Sequence, residues 1–124
     1  MNREVCPFCH VDREQIGESE LCFAIYDKYP VNPGHVLVVS KRHVEDYFDL
    51  NEEEVTCMWE MVVRMRTFLE EEFRPNGFNV GFNVGEAAGQ TIDHVHIHII
   101  PRYAGDMDDP TGGVRHVIPE RGRY

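Results

Sequence analysis

Apolar positions recur along the chain in two periods, one of two residues and one of three to four. Residues 21–26 (LCFAIY) and 35–40 (HVLVVS) are short, apolar and β-branched, which predicts two strands. The segment DKYPVNPGH between them carries two prolines and a glycine, the composition of a turn. A helix is predicted from Asn51, a good N-cap, with Glu52, Glu53 and Glu54 favoured in its first turn by the helix dipole. Val55, Met58, Trp59, Val62, Met65, Phe68 and Leu69 then recur at helical spacing as one apolar stripe, until Arg74-Pro75-Asn76-Gly77 stops the helix. Residues 78–84 (FNVGFNV) alternate and predict a third strand. After a small-residue loop, GEAAGQT, the run 94–100 (HVHIHII) predicts a last strand closed by Pro101. Residues 104–124 hold four glycines and two prolines and predict an irregular arm. Strand, strand, helix, strand, strand amounts to a single α+β domain over 1–124, built on an antiparallel sheet. So small a sheet is one that a homodimer would extend.

Composition narrows the function classes. The chain has 124 residues, 42% hydrophobic and 27% charged, which suits one globular core. Its net charge of −10 disfavours a nucleic-acid duplex as partner, because duplex binding needs a basic face. A small anionic substrate stays open, since a few local donors suffice to hold one. MNREVCPFCH has no apolar core of a signal peptide, and no stretch is long and apolar enough to span a bilayer, so a soluble, cytoplasmic protein is expected. Four cysteines without an export signal point to reduced thiols rather than a disulfide framework.

The candidate chemistry is in the last strand. Strand side chains alternate between faces, so His94, His96 and His98 fall on one side about 7 Å apart, with Val95, Ile97 and Ile99 turned to a core. Three imidazoles in a row are costly to bury unless each finds a partner. A solvated histidine face is the plain alternative. Two chemical readings stand beside it: a metal site, imidazole being a common ligand, and nucleophilic catalysis by one imidazole oriented by its neighbours. The loop GEAAGQT supplies backbone N–H groups, the Gln90 carboxamide and the Thr91 hydroxyl, which suit an anion more than a cation. It is not a P-loop, because neither Gly85 nor Gly89 is followed by Lys-Ser/Thr. Cys6-Pro7-Phe8-Cys9 has the two-residue spacing by which two thiolates share one Zn²⁺. A thioredoxin-like site is disfavoured, because position 6 leaves no room for the strand that precedes one. Cys22 and Cys57 lie on apolar faces and read as core residues.

The run His94-Val95-His96-Ile97-His98-Ile99-Ile100, with Gly89-Gln90-Thr91 before it and Pro101-Arg102 after it, resembles the histidine triad (HIT) signature. Asn32-Pro33-Gly34-His35-Val36-Leu37-Val38-Val39 is similar too, and the resemblance runs from about residue 6 to residue 103. The arrangement looks closest to the Fhit-like dinucleoside polyphosphate hydrolases. The resemblance implies a HIT-like fold with one long helix and one short helix, whose sheet extends across a homodimer. It implies that His96 attacks the α-phosphate of an AMP-containing nucleotide and forms a nucleotidyl-histidine that water resolves. His98 would contact the phosphate and assist the leaving group, and His35 would hold the cluster in geometry. Asp27 would bind the ribose hydroxyls; Asn83, Gln90 and Thr91 would contact phosphate or leaving group. Phe8, Phe23 and Ile25 are candidates for the base pocket, each with a core role as the alternative. By the same resemblance Cys6, Cys9, His43 and His94 would hold a closed structural zinc, with His10 the rival for the third position. No catalytic metal is expected. The tail GGVRHVIPERGRY departs from that branch, and Arg102, Arg115, Arg121 and Arg123 concentrate positive charge there, for distal phosphates or as a solvated arm or dimer clasp. Two other functions stay open: a metal-dependent hydrolase ligated by the histidines, and a regulatory nucleotide-binding protein without turnover.

Overall fold

A computed structural model describes residues Met1–Tyr124. Five antiparallel strands form one sheet in the order β1-β2-β3-β5-β4: β1 Gly17–Glu18, β2 Cys22–Tyr26, β3 Val36–Ser40, β4 Gly77–Gly81 and β5 His96–Arg102. One long helix, α1, Glu52–Phe73, crosses one face. The short helical element expected beside it takes the form of 3-10 turns at Tyr47–Asp49, Glu86–Ala88, Gly113–Val117 and Pro119–Arg121. No helix is long and apolar enough to cross a membrane.

The helix starts where its sequence signals place it. The Asn51 carboxamide accepts the Glu54 N–H at 2.8 Å and the Glu54 carboxylate accepts the Asn51 N–H at 3.0 Å, a reciprocal capping box. Met58, Met61, Val62, Met65 and Leu69 are buried against Val36, Val38, Ile97 and Ile99 of the sheet. The buried stripe is therefore centred one position away from Trp59, which is 36% exposed and donates its indole N–H to the Tyr47 hydroxyl at 3.1 Å. The opposite face carries a smaller core of Cys6, Phe8, Phe23, Ile25, Leu37 and Val39, so the chain before β1 covers the sheet there. The strand β1 has no apolar run to announce it. It pairs at Gly17↔Ala24, and a Cβ at Gly17 would sit 2.9 Å from Met65 Cε, so the bare backbone lies against the helix. Pro101 does not end the last strand: it pairs opposite Phe78 of β4, beyond Ile99, where β3 stops accepting hydrogen bonds.

One charge pair, buried on its carboxylate side, ties the helix to the chain after β3. Glu54 is 2% exposed and takes two hydrogen bonds from the Arg42 guanidinium, Nε at 3.0 Å and Nη2 at 2.7 Å. These bonds hold its carboxyl below the usual range, and the segment they fix delivers His43. Arg42→Met leaves that carboxylate buried without its partner, which should cost about 1–3 kcal/mol in urea unfolding. Arg42→Met combined with Glu54→Leu should recover much of the loss; a double variant weaker than the single one would refute this account.

Candidate functional site

Strand β5 runs between β3 and β4, and its alternation sets the site. Ile97 and Ile99 are fully buried toward α1, while His96 and His98 open on the other face. His94 precedes the strand and is fully buried. Three of the rings are fixed by a peptide group and His98 by one of those rings, which settles where each hydrogen resides, because a carbonyl only accepts and an amide only donates. His94 Nε2 lies 2.6 Å from the Ser40 carbonyl and so carries the hydrogen, leaving the Nδ1 lone pair free. His96 Nδ1 lies 2.8 Å from the His94 carbonyl and must donate to it, which leaves Nε2 unprotonated. His35 Nδ1 accepts the Val31 N–H at 3.1 Å, so its Nε2–H donates to His98 Nδ1 at 3.0 Å. The remaining hydrogen of His98 is then on Nε2. The arrangement presents one basic and one donor nitrogen on neighbouring residues of a strand.

Burial sets the charge state. It pushes His98 down to about 4, helped by His96 and His35 and opposed by Asp27. Burial also lowers His35, where Asp27 opposes it, and His96, where the bond to His94 opposes it. Near neutrality these rings are uncharged, the form in which an imidazole attacks.

The histidines open into a cavity of about 590 Å³, within the range of small-molecule sites. Phe8, Asp27, His35, Asn83, Gln90, Thr91, His96 and His98 all line it. Asp27 accepts the Tyr29 N–H at 2.8 Å through Oδ1, and its Oδ2 lies 3.4 Å from His35 Nε2 and 4.0 Å from His98 Nδ1. Three expected residues are used differently. Ile25 is fully buried in the small core and is not on the cavity wall, as is nearly true of Phe23. Gln90 reaches the wall, but its Nε2 donates to the carbonyls of Glu45 and Ile92 and its Oε1 accepts the Gly85 N–H. Its carboxamide staples the loop and has no hydrogen left for an anion. Sequence reasoning missed Leu37 and Ile92 on the wall, and the cations Arg13 and Lys28. Leu37 was readable from the alternation of β3; Arg13 and Lys28 carry no local signal.

On the far side of His94, the side chains of Cys6, Cys9, His43 and His94 bring four donor atoms within 4.8 Å of one another. His94 Nδ1 lies 3.4 Å from Cys6 Sγ, 3.7 Å from Cys9 Sγ and 3.2 Å from His43 Nδ1, and Cys9 Sγ lies 3.1 Å from His43 Nδ1. Tetrahedral zinc with its ordinary bond lengths separates neighbouring ligands by about 3.3–3.8 Å, so the set fits that ion closely. The His94 lone pair faces the cluster because its other nitrogen is tied to Ser40, the outer-sphere bond that metal-bound histidines use. His10, the rival ligand, lies on the cavity wall instead.

Residues 10–105 match the family model described as the HIT domain. A bis(5'-adenosyl)-triphosphatase of Dictyostelium discoideum is 45% identical over 91 residues, 73% of this chain and 61% of that protein. An AP-4-A phosphorylase of Mycobacterium tuberculosis is 38% identical over 111 residues, 85% of this chain and 55% of that protein. The chain thus spans less than two thirds of the length of both. The crystal structure of a Zn-bound histidine triad family protein from Mycobacterium smegmatis superposes with a TM-score of 0.76 at 34% identity, covering 85% of this chain and 80% of that one. With the family match over most of its length, and with His96 and His98 on β5 and His94 just before it, the chain belongs to the HIT domain family.

Proposed function

We propose that the protein hydrolyses AMP-containing nucleotides by attack of His96 Nε2 on the α-phosphorus. The observation that carries this reading is the His96 Nδ1–H bond to the His94 carbonyl, which leaves the other nitrogen as a lone pair at the cavity. In the first step the P–N bond forms and the bond to the leaving oxygen breaks. His98 Nε2–H donates a hydrogen bond to that oxygen, so a phosphate leaving group departs as an anion. The His96 ring becomes a cation beside the His94 carbonyl. Water then attacks phosphorus, the P–N bond returns its electrons to Nε2, and a proton passes to solvent. Asp27 takes the ribose hydroxyls, and Arg13 and Lys28, both paired with Asp12, lie on the same wall. The names of the two relatives, a bis(5'-adenosyl)-triphosphatase and an AP-4-A phosphorylase, support a dinucleoside polyphosphate substrate.

Zinc at Cys6, Cys9, His43 and His94 has a structural part in this reading, supported by the donor set and by the Zn-bound relative. The free edge of β4 supports a homodimer, and four free cysteines a reduced, cytoplasmic setting. Asp27, His35 and His98 also lie close enough together to suggest a second metal site and a metal-dependent hydrolase. The hydrogen on His35 Nε2 points away from that alternative: with Nδ1 accepting the Val31 N–H, the nitrogen facing Asp27 and His98 is protonated and offers no lone pair.

Turnover of diadenosine tetraphosphate and an adenosine phosphoramidate should fall at least about a thousandfold in His96→Ala and persist in EDTA. Turnover that stops on brief chelation would instead support the metal-dependent mechanism. Asp27→Ala should raise KM for either substrate about tenfold or more, the worth of hydrogen bonds to a charged group, with a smaller change in kcat. An unaltered KM would remove Asp27 from the ribose. Protein purified without chelator should contain about one zinc per chain by elemental analysis, and Cys6→Ser with Cys9→Ser should lose both the metal and several degrees of Tm. Freshly reduced protein free of zinc would sink this assignment.

A further inference from the structure

Two of the four cysteines take no part in the histidine site or in the donor cluster beside it. Cys22 opens β2 and is fully buried, whereas Cys57 lies in the second turn of α1 and is partly buried. Their Sγ atoms lie 3.0 Å apart. The Cys22 thiol also reaches the Cys57 carbonyl at 3.4 Å. Cys57 lines a cavity of about 770 Å³ between the turn after β1 and the start of α1, on the edge of the sheet opposite β4. The expectation that both cysteines are core residues therefore holds for Cys22 and only in part for Cys57.

We propose that these two cysteines form a reversible oxidation site, in which a hydroperoxide entering the cavity oxidises Cys57 and Cys22 then closes a disulfide with it. Exposure assigns the roles. Cys57 alone of the pair reaches the cavity and meets the oxidant, whereas Cys22, 0% exposed, reacts only with a sulfur already inside. A disulfide bond is about 2.05 Å long, so the sulfurs, 3.0 Å apart, need to approach by about 1 Å. Both backbones are held for this. The Ser19 N–H donates to the Cys22 carbonyl and the Lys41 N–H to the Leu21 carbonyl, each at 2.9 Å, and the capping box fixes the start of α1. Burial opposes a thiolate at Cys57, but hydrogen bonds from Ser19, Cys22 and the Leu21 backbone outweigh it and hold that thiol below its usual range. Burial pushes the Cys22 thiol up. The cavity also selects the oxidant. Glu20, Glu52, Glu53 and Glu60 line it and no Arg or Lys does, so it admits a neutral hydroperoxide and repels an anionic disulfide such as oxidised glutathione.

With hydrogen peroxide, the Cys57 thiolate attacks one oxygen and the O–O bond breaks. The other oxygen leaves as hydroxide, which takes up the proton that the thiol released and becomes water. Cys57 is then a sulfenic acid. The Cys22 sulfur attacks Cys57 Sγ, the S–S bond forms, the S–O bond breaks, and the departing hydroxide leaves with the Cys22 proton as a second water. The two thiols lose two electrons and the peroxide gains them. A thiol reductant reopens the bridge, so the site suits a reducing compartment that meets peroxide intermittently. While closed, the bridge ties β2 to α1 around the segment that carries β3, Arg42 and His43.

The test exposes the purified protein to hydrogen peroxide, blocks the remaining thiols with N-ethylmaleimide and maps the tryptic peptides without reduction. Residues 14–28 and 43–64 are two such peptides with one cysteine each, Cys22 and Cys57. The expected result is the two peptides joined, two hydrogens lighter than their sum and separated again by dithiothreitol, from a chain that still runs as a monomer on a non-reducing denaturing gel. In Cys22→Ala, dimedone should instead capture Cys57 as its sulfenic acid. In Cys57→Ser, peroxide should consume the Cys22 thiol at least about tenfold more slowly than in the wild type. An unbridged pair in the oxidised wild type, a bridge between separate chains, or a Cys22 that reacts as fast without Cys57 would each overturn the proposal. Folded Cys22→Ala protein whose Cys57 ignores dimedone would overturn the order of attack, and bridging by oxidised glutathione but not by peroxide would overturn the choice of oxidant. The wild-type map and Cys57→Ser decide the matter even where Cys22→Ala fails to fold.

Discussion

The site depends on how His94 is held. Its Nε2–H is tied to the Ser40 carbonyl at the end of β3, its Nδ1 faces two thiols and a second imidazole, and its own carbonyl takes the hydrogen of His96. One buried residue therefore fixes a ring on each side of itself. If the Ser40 bond were lost, the hydrogen of His94 could move to Nδ1, and the cluster of donors would lose one lone pair. If the backbone at 94 shifted, His96 would lose the acceptor that keeps its reactive nitrogen bare. Burial makes both effects sharp, because an unpaired polar group at such a position has no water to turn to.

The two cores divide the work around that residue. The large one, between α1 and the sheet, fixes the pitch and register of β5, so that every second side chain points at the cavity. The small one, on the opposite face, holds the segment of Cys6 and Phe8 down on the strands. Phe8 lies with its ring centroid 5.9 Å from that of His94 and 5.0 Å from that of His96, edge-on to both. It packs the cluster and the cavity wall with one side chain. A metal bound at Cys6 and Cys9 would thereby anchor part of the wall, a structural part that reaches the substrate without touching it.

Much of this was legible in the sequence, for reasons that are local. Alternation over 94–100 reports faces directly, and the Asn51–Glu54 pair reports a helix start because both partners are three residues apart. What local patterns miss is what the rest of the fold decides. The β1 strand exists because Gly17 is bare against Met65, a contact made across the sheet and helix. Pro101 is tolerated inside β5 because β3 has already ended. Trp59 fits the helical period as well as Met61 does, and only the position of the sheet separates them. Gln90 belongs to the motif by sequence, but its hydrogens go to the carbonyls of Glu45 and Ile92, partners that no spacing rule names. Among the expected site residues, His96 and His98 on β5 face the cavity as alternation predicts, whereas Ile25 lies on a strand buried on both faces, where alternation carries no information.

The orienting groups also bear on the chemistry. In many catalytic triads a carboxylate holds the imidazole and stabilises the cation it becomes. Here His96 is held by a peptide carbonyl, and Asp27 sits by His35 and His98 instead. A carbonyl fixes the tautomer as firmly but stabilises a cation less, because it carries only a partial charge. In the proposed reaction the intermediate is a phosphorylated imidazolium, whose decay restores a neutral ring. A strong anionic partner would favour that cation and slow its breakdown by water. A neutral acceptor orients the ring for attack without making the intermediate too stable, which is what a hydrolase working in two steps requires.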